Sequence, residues 1–196
     1  MSKKASIKRK TSETDIKISL NLYGKGLYKI KTGISFLDHM LGLLAKHGLF
    51  DLDVKAQGDL EVDMHHTNED VGIALGEAFS KSLGNKAGIK RFGEATVPMD
   101  EALVRVTLDI SGRPFLKFNI DKIKCKDIGE YSLNYAEQFL RAFTTQARVT
   151  LHVDVLEGKD THHIIEAVFK ALAKGLLRAV EREPRSKKIP STKGKI

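Results

Sequence analysis

Histidine and glutamate recur together in this chain at spacings that suit metal ligation. His65-His66-Thr67-Asn68-Glu69 is answered by His162-His163-Ile164-Ile165-Glu166, and His39 lies 26 residues ahead of His65. Five of the seven histidines fall at these matching places: His39, His65, His66, His162 and His163. Residues three and four apart share one face of a helix, so His65 or His66 can join Glu69 on one ion, and His162 or His163 can join Glu166. Neighbours on a helix are turned about 100° from each other, so the two histidines of each pair are expected to serve different ions. Cys125 is the only cysteine, which rules out an internal disulfide and thiolate clusters. The remaining nitrogen and oxygen donors suit manganese, iron, zinc or nickel.

Capping a helix or satisfying a buried polar group accounts for an isolated histidine pair. It does not account for a pair repeated with its glutamate. His47, just before Gly48, serves equally well as a ligand or as a favourable charge in the last turn of a helix. His152 alternates with Leu151 and Val153, which points to packing or to support of a ligand.

The elements that carry these residues repeat as well. Alternating Ile16, Ile18, Leu20 and Leu22 predict a half-buried strand over Asp15 to Leu22, with a second at Leu27 to Ile30 returning after the Gly24 to Gly26 turn. Leu37, Leu41 and Leu44 predict a helix over Ser35 to Lys46 that Gly48 terminates. Leu52, Val54 and Ala56 form the next strand, and Val71, Leu75, Ala78 and Phe79 a helix from Asn68 to about Gly84. The second half runs in the same order. Strands are predicted at Ala95 to Val97, Leu103 to Asp109, Pro114 to Ile120 and Val149 to Val155, and helices at Asn134 to Gln146 and Ile164 to Val180.

A related hexapeptide precedes each histidine pair, Phe36-Leu37-Asp38-His39-Met40-Leu41 against Tyr135-Ala136-Glu137-Gln138-Phe139-Leu140, and Gln138 precedes His162 by 24 residues. Duplication of one strand-and-helix unit is the simplest account. The expected fold class is α+β, with two sheets faced by helices and a pseudo-twofold axis. The halves are expected at 1–90 and 91–184, followed by a tail at 185–196. Because a single subunit has no obvious way to bring the two outward-facing ligand sets together, the metals are expected to be shared between subunits.

Composition is that of an ordinary globular chain of 196 residues, 41% hydrophobic and 30% charged, enough for one compact unit or two closely packed ones. The apolar run from Ile34 to Leu44 is interrupted by Asp38 and His39 and falls short of the roughly 20 residues of a membrane span. The basic N-terminus has no apolar segment of the kind a secretory signal needs, so the cytoplasm is the expected compartment. The net charge of +8 is concentrated at the ends, in Lys3, Lys4, Lys8, Arg9 and Lys10 and in Arg185, Lys187, Lys188, Lys193 and Lys195. Such ends are either solvated tails or surfaces for nucleic acid, an acidic membrane or a phosphorylated substrate.

Several of these runs together resemble the imidazoleglycerol-phosphate dehydratases. They are Phe36 to Leu41, His65-His66-Thr67-Asn68-Glu69-Asp70, Val97-Pro98-Met99-Asp100-Glu101-Ala102-Leu103, Asp109-Ile110-Ser111-Gly112-Arg113-Pro114 and His162-His163-Ile164-Ile165-Glu166-Ala167. The similarity runs from about Arg9 to Gly194. It implies a hydro-lyase of histidine biosynthesis that converts imidazole glycerol phosphate to imidazole acetol phosphate and water. It also implies two Mn2+ ions per active site, a homo-oligomer of 24 subunits, and a duplicated ribosomal-protein-domain-2-like fold. The metal ligands so implied are His39, His65, His66, Glu69, His162, His163 and Glu166. Phosphate contacts are implied for Arg91, Arg113, Lys170, Ser191 and Lys193, and an active-site carboxylate for Glu13. On residue type alone Arg91 and Arg113 could equally be surface charges.

Chemistry is compatible with these roles. Arginine forks and lysine charge hold phosphate well, and Pro190-Ser191-Thr192-Lys193-Gly194 offers a hydroxyl, a cation and a flexible glycine. The hydroxyl and proton to be lost lie on carbons with no neighbouring carbonyl, so the imidazole must assist. Metal coordination of the ring favours the imidazolate, which can expel the hydroxyl through a diazafulvene-like species whose next C–H is acidic. Glu166 and Glu13 are the candidates for proton transfer. Three departures stand out: Gln138 replaces a usual histidine, Gly42-Leu43 a usual Asp-Gln pair, and Ser132-Leu133-Asn134-Tyr135 a more acidic stretch. A dinuclear metallohydrolase of another phosphorylated metabolite is the alternative enzyme. A non-catalytic basic RNA-binding module is the alternative outside enzymes, and it leaves the repeated histidines unexplained.

Overall fold

The computed structural model describes residues 4–120 and 131–196; Lys3 and Cys125 lie outside them. The first half comprises β1 (Lys4–Lys10), β2 (Thr14–Asn21), β3 (Tyr28–Lys31), α1 (Ser35–Gly48), β4 (Asp51–Gly58) and α2 (His65–Leu83). The second repeats the series as β5 (Phe92–Met99), β6 (Ala102–Asp109), β7 (Phe115–Asn119), α3 (Leu133–Ala147), β8 (Thr150–Glu157) and α4 (Thr161–Val180). Their sheets have equivalent strand orders, β1-β2-β4-β3 and β5-β6-β8-β7. The chain is thus a duplicated α+β unit.

Each sheet turns one face inward. On β2 the buried residues are Thr14, Ile16, Ile18 and Leu20, continued by Leu22; on β6 they are Ala102, Val104, Val106 and Leu108, continued by Ile110. Against these faces lie α2 and α4, while α1 packs on α4 and α3 on α2. Helices from both halves therefore fill the space between two sheets, and one apolar core runs through them. The α2 and α3 backbones approach closely because α2 carries glycines at the contact: an added Cβ at Gly76 would stand 2.5 Å from the Phe143 carbonyl oxygen. Gly93 and Gly175 allow the same closeness between β5 and α4.

Three expectations need correction. The basic N-terminal run is not a free tail: from Lys4 it forms an edge strand paired along its length with β2. Ala5 is buried and Ile7 half-buried, and Arg9 Nε donates to Asp70 Oδ1 at 2.9 Å. Its exposed lysines face outward, as suits an edge that must not pair with another chain. Second, β3 does not return beside β2. It lies at the far edge, parallel to β4, because Asp51 Oδ1 accepts the Lys25 and Leu27 N–H groups and draws the connection past the end of β4. Third, the left-handed residue ending α1 is Leu49, φ 55, rather than Gly48. A Cβ at Gly48 would collide with the Phe50 ring.

No helix among the described residues is long and apolar enough to cross a membrane. The C-terminal segment runs back over residues 87–91, with the Gly88 N–H donating to the Lys188 carbonyl at 2.9 Å.

Candidate metal centre

Both histidine pairs sit in the first turn of a long helix, where backbone N–H groups have no helical partners. At α4 the N-cap Asp160 supplies one: its Oδ1 accepts the His162 and His163 N–H groups at 2.7 and 3.3 Å. At α2, Asp63 Oδ1 accepts from the His65 N–H at 2.7 Å. Helical geometry then splits each pair. The ring planes stand 85° apart for His65 and His66 and 81° apart for His162 and His163.

The first histidine of each pair meets its own helix's glutamate one turn on. His162 Nε2 lies 3.1 Å from Glu166 Oε1, and His65 Nε2 lies 3.5 Å from Glu69 Oε2. In the second half α1 adds His39, whose Nε2 is 2.7 Å from Glu166 Oε1. His39, His162 and Glu166 thereby offer three ligand atoms within 4.8 Å of one another. Glu166 is almost wholly buried, and Lys170 Nζ donates to its Oε2 at 2.6 Å. Burial pushes the Glu166 carboxyl up, but the Lys170 ammonium and the two imidazoles outweigh it and hold the group at about 2.

The second histidine of each pair turns to a carboxylate from elsewhere. His163 Nδ1 lies 2.7 Å from Glu101 Oε2, and His66 Nδ1 lies 2.9 Å from Asp59 Oδ2 and 3.8 Å from Glu13 Oε2. Glu13, Asp59 and His66 form the other metal-capable group among the described residues. These bonds raise both imidazoles above their ordinary value. Glu101 is held down at about 2 by the Asp160 N–H, then by His163 and the Lys159 N–H. Sequence reading did not single out Glu101 or Asp59: their partners lie on other elements, and only the Val97 to Leu103 motif hinted at Glu101.

Gln138 is half-buried on α3. His47 joins no metal-capable group among the described residues, and burial and then the Lys174 and Lys170 ammonium groups push it below the ordinary imidazole value. His152 packs against Phe115 on β8, ring centroids 5.5 Å apart. Gly42 is buried beneath Tyr28, whose ring would lie 3.2 Å from an added Cβ. Ser132 is the N-cap of α3, which gives that departure a structural reason. Tyr135, at its end, belongs to a row of rings between the two histidine groups: His65, Tyr135, Tyr131, Phe36 and His162, with successive centroids 5.0 to 6.5 Å apart.

The cationic residues fall in two places. Lys170 is beside Glu166. Arg91 lies near the other end of α4, its N–H donating to the Ala179 carbonyl at 2.9 Å. Its Nε and Nη2 grip Asp109 at 2.7 and 3.0 Å, and Nη1 holds the Pro190 carbonyl at 2.8 Å. That contact brings the segment bearing half-buried Ser191 and exposed Lys193 to Arg91. Arg113 is exposed beyond Ser111 and Gly112, and Ile110 N–H donates to the Arg91 carbonyl at 3.1 Å. Along α4, His162 and Ala179 are separated by about 25 Å at 1.5 Å per residue.

The imidazoleglycerol-phosphate dehydratase family model matches residues 32–176. An imidazoleglycerol-phosphate dehydratase of Caldanaerobacter subterraneus subsp. tengcongensis is 59% identical over 192 residues, which cover 98% of each chain. The crystal structure of the Staphylococcus aureus imidazoleglycerol-phosphate dehydratase superposes with a TM-score of 0.82 at 37% identity, covering 92% of this chain and 99% of that one. The Pyrococcus furiosus structure gives 0.83 at 36% identity, covering 97% and 100%.

Proposed function

The chain belongs to the imidazoleglycerol-phosphate dehydratase family, and from that membership we propose that it removes water from D-erythro-imidazole glycerol 3-phosphate to give imidazole acetol phosphate, a step of L-histidine biosynthesis. The observation that carries the reading is the convergence of His39, His162 and Glu166 from two halves of the chain, three ligand atoms within 4.8 Å. Imidazole nitrogens and a carboxylate fit a borderline divalent ion; manganese is proposed among these from the family resemblance.

Two Mn2+ ions per active site would be held by His39, His65, His66, Glu69, His162, His163 and Glu166, with the Gln138 amide standing where a histidine is usual. Bound there, manganese supplies Lewis acidity that favours the ionised imidazole of the substrate. The residues supply the rest. Glu166 is proposed as one proton-transfer group from the family resemblance, and Lys170 at 2.6 Å aims its carboxylate. Glu13, half-exposed beside His66, is the second proton-transfer group. Arg91, Arg113, Lys170, Ser191 and Lys193 would hold the phosphate, with residues 185–196 as a phosphate-binding tail.

The distribution of these groups supports sites shared between chains. A three-carbon phosphate ester bearing one imidazole cannot span the length of α4 from His162 to Arg91. The proposed active site therefore combines the histidines of one chain with the arginines and tail of another, in a homo-oligomer for which the family resemblance suggests 24 subunits. The cytoplasm is the proposed compartment.

Metal-reconstituted protein given imidazole glycerol phosphate should form imidazole acetol phosphate and release no orthophosphate. Orthophosphate as the product would instead identify a hydrolase.

A further inference from the structure

The two halves hold the second histidine of each pair by different carboxylates. Matching the inward residues of β2 and β6, Thr14 with Ala102 through Leu22 with Ile110, sets Glu13 opposite Glu101, one residue before each series. Matching β4 with β8, Phe50 with Val149 through Val54 with Val153, sets Asp59 opposite Gly158, which has no side chain. In the second half the hairpin glutamate, Glu101, lies 2.7 Å from His163 Nδ1. In the first half the hairpin glutamate, Glu13, stays 3.8 Å from His66, while Asp59 lies 2.9 Å from the same nitrogen.

We propose that Glu101 and Asp59 are positioning residues of the metal site: each fixes the Nδ1 proton of its histidine, His163 or His66, so that Nε2 keeps the lone pair for a metal, and Asp59 leaves Glu13 free for the substrate. The inference rests on the metal-dependent reading above. A carboxylate only accepts hydrogen bonds, so the ring nitrogen facing it carries the proton and the other nitrogen of a neutral imidazole is the ligand. Glu101 does more than orient a ring. Its Oε1 accepts the Lys159 and Asp160 N–H groups at 3.1 and 2.8 Å, and Asp160 in turn caps the helix start that carries His162 and His163. One carboxylate thus ties the hairpin between β5 and β6 to the ligand turn and to the ligand ring.

This arrangement makes Glu101→Gln a sharp probe. The two loop N–H groups require the amide oxygen, so the amide NH2 faces His163 Nδ1, donates to it, and shifts the ring proton to Nε2, where it competes with the metal. Metal-stripped protein is titrated with Mn2+, free ion is counted by electron paramagnetic resonance, and assembly size and melting temperature are measured on the same samples. Wild type should bind two ions per chain. Glu101→Gln should assemble normally yet bind one of the two about 10–100-fold more weakly, and Asp59→Asn should weaken binding while Glu13→Gln, impaired in turnover, keeps both affinities. If Glu101→Gln fails to assemble, the contrast between Asp59→Asn and Glu13→Gln decides. Wild-type affinities in both Glu101→Gln and Asp59→Asn overturn the proposal. A wild type that binds no Mn2+ overturns the metal-dependent reading itself, and the proposal with it.

Discussion

Glu101 and His163 make a pair whose partners titrate in opposite directions, which gives it a defined pH signature in the metal-free protein. Glu101 lies at about 2 against an ordinary 4.5, so its contribution to stability is present above about 4.5 and fades as pH falls through 2. His163 lies above its ordinary 6.5, so its contribution is present below that value and fades as pH rises through the higher folded one. The difference in melting temperature between wild type and Glu101→Gln should therefore be largest between pH 4.5 and 6.5 and shrink on both sides. A difference that does not vary with pH would contradict the pairing. The histidines and glutamates of the site were legible in the sequence because both halves display them at helical spacing. Glu101 and Asp59 were not, since nothing local marks a carboxylate whose partner sits 62 residues away, as for Glu101 and His163, or across a loop, as for Asp59 and His66.

At the scale of elements, α4 carries most of the centre, and its N-terminus is the vulnerable point. Asp160→Ala removes the acceptor for the His162 and His163 N–H groups. It should cost about 1 kcal/mol of stability in chemical denaturation and loosen the turn that presents both rings; an unchanged midpoint would mean that other groups cap the helix. Helix interiors were readable from their apolar periodicity. The start of α4 was read at Ile164 instead of Thr161 because its first turn, Thr161-His162-His163, is polar and shows no apolar periodicity. The Lys4–Lys10 strand was hidden by its charge, and the placement of β3 depended on its parallel partner β4 and on the Asp51 contacts that hold the connection. The duplicated order of elements, β1 apart, was by contrast visible.

The whole molecule presents a paradox that a single chain does not resolve. Metal-capable groups cluster at the helix N-termini, whereas Arg91 and the segment bearing Ser191 and Lys193 gather near the C-terminal end of α4. Leu27, Tyr28, Phe92 and Phe115 are exposed apolar side chains, available for burial between chains. The proposed assembly joins the two ends in one account: the histidine end of one chain would face the cationic end of another, and the substrate would bridge them. Metal removal should then abolish turnover, and its return should restore turnover only in the assembled protein. The decisive measurement is to strip the purified chain with a chelator, restore Mn2+, and determine metal per chain, particle mass and imidazole acetol phosphate formation on one sample. Two ions per chain, a large assembly and regained turnover are predicted; full loading without turnover on this substrate, or turnover by a monomer, would contradict the account.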